Sequence, residues 1–197
     1  MAKKVQEVDP DLELVQAAKS GDTCAFDQLI HKYDRKLYGL IYHMTSNSED
    51  SNDLLQDTFA KAYKSLGDFR EDASFYTWIH TIAVNRTLSH LKKKKRRAGP
   101  SYDDDESGIL NDPAFIDQGN LANPRRQSAI HELHGKLNEA LQILSEDHRT
   151  VVTMFDVEGL PHAEVSRLLG VSEGTVRSRL HYAHQQLQNH LKDFEAR

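Results

Sequence analysis

Cysteine is almost missing: Cys24 is the only one in 197 residues. It rules out an internal disulfide and cannot build a zinc site alone, so a reducing compartment is the expected setting. Long hydrophobic runs are missing too. The opening MAKKVQEVDPD holds no apolar stretch that would serve as a signal peptide. No later segment approaches the ~20 apolar residues a bilayer span needs. These absences point to a cytoplasmic protein. The first half shows no sustained period-two alternation and few β-branched runs, which argues against strands. There is no Gly-rich phosphate loop, nucleophile elbow or Cys-His arrangement, so nothing points to an enzyme or to a cofactor.

Charge of one sign is not missing but uneven. The net charge is −5 over the whole chain. Residues 1–97 hold 16 Lys+Arg against 14 Asp+Glu, residues 98–128 hold 2 against 6, and residues 129–197 hold 7 against 10 with 7 of the 11 His. A protein that binds DNA unaided through phosphates is usually basic overall. If this chain touches DNA, another molecule supplies much of the attraction. Hydrophobic content of 38% with 28% charged residues is ordinary for a soluble protein.

Apolar positions recurring at three and four predict an all-α fold of two small domains. In the first, spanning 10–97, Asp11 opens a short helix and a longer one runs from about Asp22 to Met44 on Phe26, Leu29, Ile30, Tyr33, Leu37, Leu40 and Ile41. Ser48 reads as the N-cap of a third helix with Glu49 and Asp50 in its first turn. Ser74 reads as the cap of a fourth, which ends in the basic run Lys92–Arg97. Residues 98–128 hold Pro100, Pro113, Pro124 and the acidic run Asp103–Glu106 without sustained periodicity, and read as a flexible linker. Fully extended, it would reach about 100 Å. The second domain, 129–195, has an amphipathic helix over Ile130–Leu144, a Ser145-capped helix stopped by Gly159, and then Pro161, Gly170 and Ser172 at start, stop and cap positions.

That last arrangement is the helix-turn-helix pattern. Its second helix would turn Ser172, Glu173, Thr175, Arg177, Ser178, Arg179 and His181 outward, and Arg with Ser/Thr suits base edges and phosphates. A plain helical hairpin with a solvated face is the alternative. In the first domain, Phe75, Tyr76 and Trp78 interleave with Thr77, His80, Asn85 and Arg86, a mixture able to hold an unstacked base. Burial in the core is the better account of Trp78 taken alone. Asp50, Asp53 and Asp57 share a helical face but have no His beside them, so helix-start chemistry explains them better than a metal does.

Taken together these blocks resemble the bacterial sigma-70 family of transcription initiation factors. Asp53-Leu54-Leu55-Gln56-Asp57-Thr58-Phe59 resembles the family's D-L-x-Q-[ED]-[TV]-F helix. Phe69–Phe75, Thr77-Trp78-Ile79 and Ile82–Arg86 resemble its promoter-melting segment, and Gly174–Leu180 its recognition helix. Having a linker in place of an intermediate domain is similar to the small extracytoplasmic function (ECF) subgroup. The resemblance implies that Asp53, Leu55, Gln56, Asp57 and Phe59 dock the β′ clamp of core RNA polymerase. It implies that Arg70, Asp72, Ala73, Ser74 and Phe75 form a loop capturing a base flipped from the −10 element, supported by Trp78, Asn85 and Arg86. Ser172, Glu173, Thr175, Arg177, Ser178, Arg179 and His181 would read the −35 element. Implied partners are core polymerase, through its β′ clamp and β flap, promoter DNA, and an anti-sigma factor. The acidic linker would suit a basic channel built for nucleic acid.

Three rival readings remain: a helix-turn-helix regulator working without polymerase, a protein-binding adaptor, and a nucleic-acid-processing enzyme. The first leaves the Ser48–Phe59 helix unexplained, the second the base-suited loop, and the third lacks a site. Where relatives often carry basic residues after the recognition helix's Leu, this chain has His181-Tyr182-Ala183-His184. Neutral His attracts phosphate weakly. The isolated second domain is therefore expected to bind −35 DNA weakly at pH 8 and more tightly at pH 6, which a gel-shift series checks.

Overall fold

The computed structural model describes residues 10–98 and 136–195. The acidic run Asp103–Glu106, nearly all of the expected linker, Ile130, Leu133 and the side chain of Leu191 lie outside the described residues. Everything regular among the described residues is helical. Four helices form the first unit: α1 (Leu12–Lys19), α2 (Thr23–Thr45), α3 (Ser48–Lys64) and α4 (Phe75–Ala98), with a 3-10 turn at Leu66–Asp68. The second unit has α5 (described from 136 to 142), α6 (Glu146–Val152), α7 (His162–Leu169) and α8 (Glu173–Glu195).

The local chemistry explains most boundaries. Asp22 caps α2, its carboxylate accepting from the backbone N–H of Cys24 at 2.9 Å and of Ala25 at 3.2 Å. The cap of α3 is Asn47 and not Ser48: the Asn47 side chain accepts from Asp50 N at 2.8 Å. Asn supplies the same oxygen as Ser at this position, and the extended backbone falls at Asn47 because Ser46 before it is left-handed, φ 49°. Asp11 begins α1, but its side chain makes no cap bond. Instead it is buried and holds Lys32 and Tyr33 of α2. Pro161 sits one residue ahead of the expected place, at the N-cap of α7. Gly170 ends α7 at φ +70°, a conformation Gly adopts at little cost.

α2 is the axis. Its first half buries one stripe, but from Leu37 to Thr45 every residue is buried, including Tyr38, Gly39, Tyr42 and His43. A helix covered all round must have neighbours on every side, and α2 packs on α1, α3, α4 and also α6 of the second unit. The two units therefore share a continuous hydrophobic cluster, from Leu29, Leu40, Met44, Phe75 and Ile79 to Val151, Met154 and Val176. Each such fully buried side chain contributes about 1.5–3 kcal/mol of transfer free energy.

Polar ties fix the rest. Arg149 is buried and donates to the carbonyls of Leu141 at 3.0 Å, Leu144 at 2.9 Å and Gln142 at 3.5 Å. It thereby satisfies carbonyls that the end of α5 leaves without a helical partner. Beyond α6 the chain widens into a π-helical turn, Thr153–Val157, where one continuous α-helix up to Gly159 was expected. In the first unit Asp50 joins α3 to α4, 3.0 Å from Lys94 Nζ and 3.3 Å from His90 Nε2.

Partial burial pushes the Asp50 carboxyl up, but the hydrogen bond and charge of Lys94, with His90, outweigh it and hold the pKa below the usual carboxylate value. A carboxyl depressed in the folded state adds stability above its unfolded pKa and loses it as pH falls through the folded value. Asp50→Asn is expected to lower Tm at pH 7. The gap to the unmodified chain should close as pH drops below about 4, followed by thermal unfolding from pH 7 to 3.

Candidate nucleic-acid interface

Three surfaces carry the residues singled out from the sequence. The first is the outer side of α3. Asp53, Gln56 and Asp57 are exposed there, Leu55 is half-buried, and Phe59 is buried at 8% exposure. The acids and amide thus form the accessible face, while Phe59 holds the helix from below. Asp57 also reaches Arg86 of α4 at 3.3 Å. Both side chains are substantially exposed, so the pair is worth no more than about 1 kcal/mol.

The second surface is the loop between the 3-10 turn and α4. Arg70, Glu71, Asp72 and Ala73 are exposed, and Ser74 is half-buried. Beneath them Phe69, Phe75 and Trp78 form an aromatic platform: Phe69 lies 5.1 Å from Trp78 and 6.1 Å, edge-on, from Phe75, whose ring is 5.7 Å from Trp78. Phe75 is fully buried. The resemblance implies DNA contact for Phe75, but with no exposed surface it lies beneath the loop and cannot touch a base directly. Trp78 is half-buried, Asn85 exposed and Arg86 half-buried.

Both ends of the loop are pinned. Ser74 Oγ accepts from Thr77 N at 3.1 Å and caps α4. At the other end Lys19 Nζ donates to the Phe69 carbonyl at 2.7 Å and to Glu71 Oε1 at 3.0 Å. Between the pins Glu71 is left-handed, φ +62°, which costs a non-glycine residue about 1–2 kcal/mol. Sequence reasoning missed Lys19, because a cation in the last turn of a helix looks like ordinary dipole chemistry.

The third surface is the start of α8. Ser172 caps it, accepting from Thr175 N at 3.1 Å. Glu173, Arg177, Ser178 and His181 are exposed and Thr175 is half-buried. Arg177 pairs with Glu173 at 2.9 Å. Arg179 differs: its side chain is turned in toward Asp147 of α6, at 2.8 Å. His184 is bound to Asp156 at 2.7 Å, which leaves His181 as the more accessible of the two imidazoles.

The third surface adjoins the far, basic end of α4. Asp147 also lies 3.4 Å from Lys95 in the basic end of α4, and a cleft of about 220 Å³ between the units is lined by Leu88, Leu91, Lys92, Lys95, Glu146, Asp147 and Arg179 among others. Burial there pushes the Glu146 carboxyl up, with Lys95 opposing it. Further along, Glu158 Oε2 stands 2.9 Å from His80 Nε2, both largely covered. Burial, with Glu158 nearby, raises the pKa of the adjacent Tyr76 phenol. Lys36 lies 3.9 Å from the Tyr76 ring centre. The acids Asp147 and Glu158 had no visible role in the sequence, since their partners Arg179, Lys95 and His80 come from elements distant along the chain. Among the described residues no helix is long and apolar enough to cross a membrane.

The Sigma-70 region 2 model matches residues 29–97, and the Sigma-70, region 4 model matches residues 134–187. The chain is 34% identical over 187 residues to the RNA polymerase sigma-H factor of Pseudomonas aeruginosa, covering 93% of this chain and 95% of that one. It is 31% identical to the ECF RNA polymerase sigma-E factor of Haemophilus influenzae, covering 92% and 95%. Among solved structures, the sigma factor RpoE of Bartonella quintana, in complex with the anti-sigma factor NepR, aligns with a TM-score of 0.56 over 85% of this chain and 96% of that one. At 22% identity that likeness shows the fold alone.

Two of the polar contacts across the units depend on carboxylates, so Asp147→Lys combined with Glu158→Lys should set two cations against each other at Lys95 and remove the acceptor facing His80. The expected result is a larger radius of gyration by small-angle scattering, with helix content by circular dichroism unchanged.

Proposed function

Because the chain belongs to the extracytoplasmic function group of the sigma-70 family, we propose that it binds core RNA polymerase, chooses promoters through −35 and −10 elements, and opens the DNA at the second. The observation that carries this is the pairing of two unlike surfaces on neighbouring helices. The exposed Asp53, Gln56 and Asp57 of α3 suit a basic protein partner, and the exposed loop 70–73 over the Phe69–Trp78 platform suits a flipped base. Base stacking on such aromatics contributes roughly 1–3 kcal/mol.

In this reading α3 grips the β′ clamp, with Leu55 and Phe59 shaping it from within. Arg70, Asp72, Ala73 and Ser74 receive the −10 base, Phe75 and Trp78 hold the loop up, and Asn85 and Arg86 meet the displaced strand. Ser172, Glu173, Thr175, Arg177, Ser178 and His181 face the −35 major groove, and Arg179 joins them once released from Asp147. The domain limits follow as 10–97, 98–128 and 129–195. The two elements are about 25 base pairs apart, roughly 85 Å of duplex. Units packed on one another do not span that distance, so promoter binding requires them to separate, and a linker reaching about 100 Å permits it. An anti-sigma factor acting on the packed form is the natural negative partner.

A regulator working without polymerase would have no use for the exposed acidic face of α3. Reconstitution with core polymerase tests the choice. Stable association and transcription from a defined start are expected. Asp53→Ala with Gln56→Ala should weaken core binding about tenfold without changing −35 preference, while Arg177→Ala should do the reverse. A chain that does not associate with core, or whose two variants show exchanged effects, would contradict the assignment.

A further inference from the structure

Lys19 ends α1, outside the stretch 29–97 that matches the region 2 model, yet it reaches into the base-capture loop. Its ammonium is not needed at home. The last carbonyls of α1 already accept from the backbone N–H groups of Ser20, Gly21 and Asp22. The side chain, 24% exposed, crosses instead to the Phe69 carbonyl and the Glu71 carboxylate and lies 5.3 Å from the Phe69 ring centre.

These three contacts bracket Arg70. They hold the carbonyl just before it and the side chain just after it, and the residue after it is the left-handed one. With Ser74 fixed by its own cap, the backbone from Phe69 to Ser74 has both ends held and one unusual dihedral set between them. Removing Lys19 would let Glu71 return to a right-handed or extended conformation, which reorients Arg70 and Asp72 relative to the aromatic platform.

We infer that Lys19 is a positioning residue for base selection at the −10 element, acting by locking the loop conformation and not by touching DNA. This rests on the reading of residues 70–75 as a base-capturing loop. A positioning role predicts loss of discrimination among bases. A merely structural role predicts equal weakening for all of them, and so would loss of a positive charge near phosphates.

The full chain bound to core polymerase is titrated with single-stranded oligonucleotides taken from the −10 segment of a promoter that it transcribes. Each position is varied through the four bases and binding is read by fluorescence anisotropy. The charge-balanced variant Lys19→Met with Glu71→Gln should cut the ratio of best to worst base about three- to fivefold, the scale of a partly exposed ion pair. Lys19→Arg should keep most of the ratio. A ratio unchanged in the double variant, or equal weakening of all four bases, overturns the inference. If the double variant does not melt cooperatively, Lys19→Gln replaces it, since it still donates to the Phe69 carbonyl but loses the ion pair. A partial loss of the ratio is then expected, and a full ratio counts against the inference. Asp72→Ala separates the two levels. If it erases discrimination while the Lys19 variants do not, only the positioning role fails. If the unmodified chain shows no base preference, the loop reading fails and the inference with it.

Discussion

The burial of α2 on all sides between Leu37 and Thr45 is the constraint from which the other placements follow. A stripe of Leu and Ile needs one neighbour, but a segment that also buries two tyrosines, a glycine and a histidine needs a ring of them. α3 and α4 occupy part of that ring, and this fixes their mutual angle. The acidic residues Asp53 and Asp57 of α3 are then left exposed. α6 closes the ring from the second unit, where Thr153 Oγ1 lies 3.5 Å from the His43 carbonyl. Opening the molecule therefore uncovers part of its central helix, and whatever holds the open form must offset that exposure.

Carboxylates do much of the joining, and they do it at different depths. Asp11 is buried under α2, Asp50 is partly covered between α3 and α4, and Asp57 is largely exposed. Coulomb attraction falls with the local dielectric, so the first is a structural tie and the last a weak one. Glu71, Asp147 and Glu158 lie between these limits. Each meets a cation or imidazole from a distant part of the chain, and each is close to a surface assigned to a partner.

Much of this was legible from residue order. The helices on Phe26–Met44 and Ser48–Leu66 and the helices of the helix-turn-helix follow from spacing that repeats at three and four. Caps were legible too, with the shift from Ser48 to Asn47 showing how interchangeable small oxygen-bearing residues are at that position. Burial of Phe75 and Phe59 was less so, because an aromatic in a contact motif and an aromatic in a core look alike until a neighbouring helix is placed. Lys19, Asp147 and Glu158 were not legible at all. Their partners lie 50 to 78 residues away along the chain for Phe69, Lys95 and His80 respectively, beyond any local pattern.

The π-helical turn at Thr153–Val157 carries a consequence of another kind. Such turns hold one residue more than α winding allows, and each residue of an α-helix advances about 100° around the axis. Without the extra residue, Glu158 would leave the helix about a quarter turn away from His80. This contact, one of those between the two halves, is therefore encoded as a count of residues as well as in their identity. Shortening this turn by one position would undo it while leaving Glu158 and His80 themselves unchanged in identity.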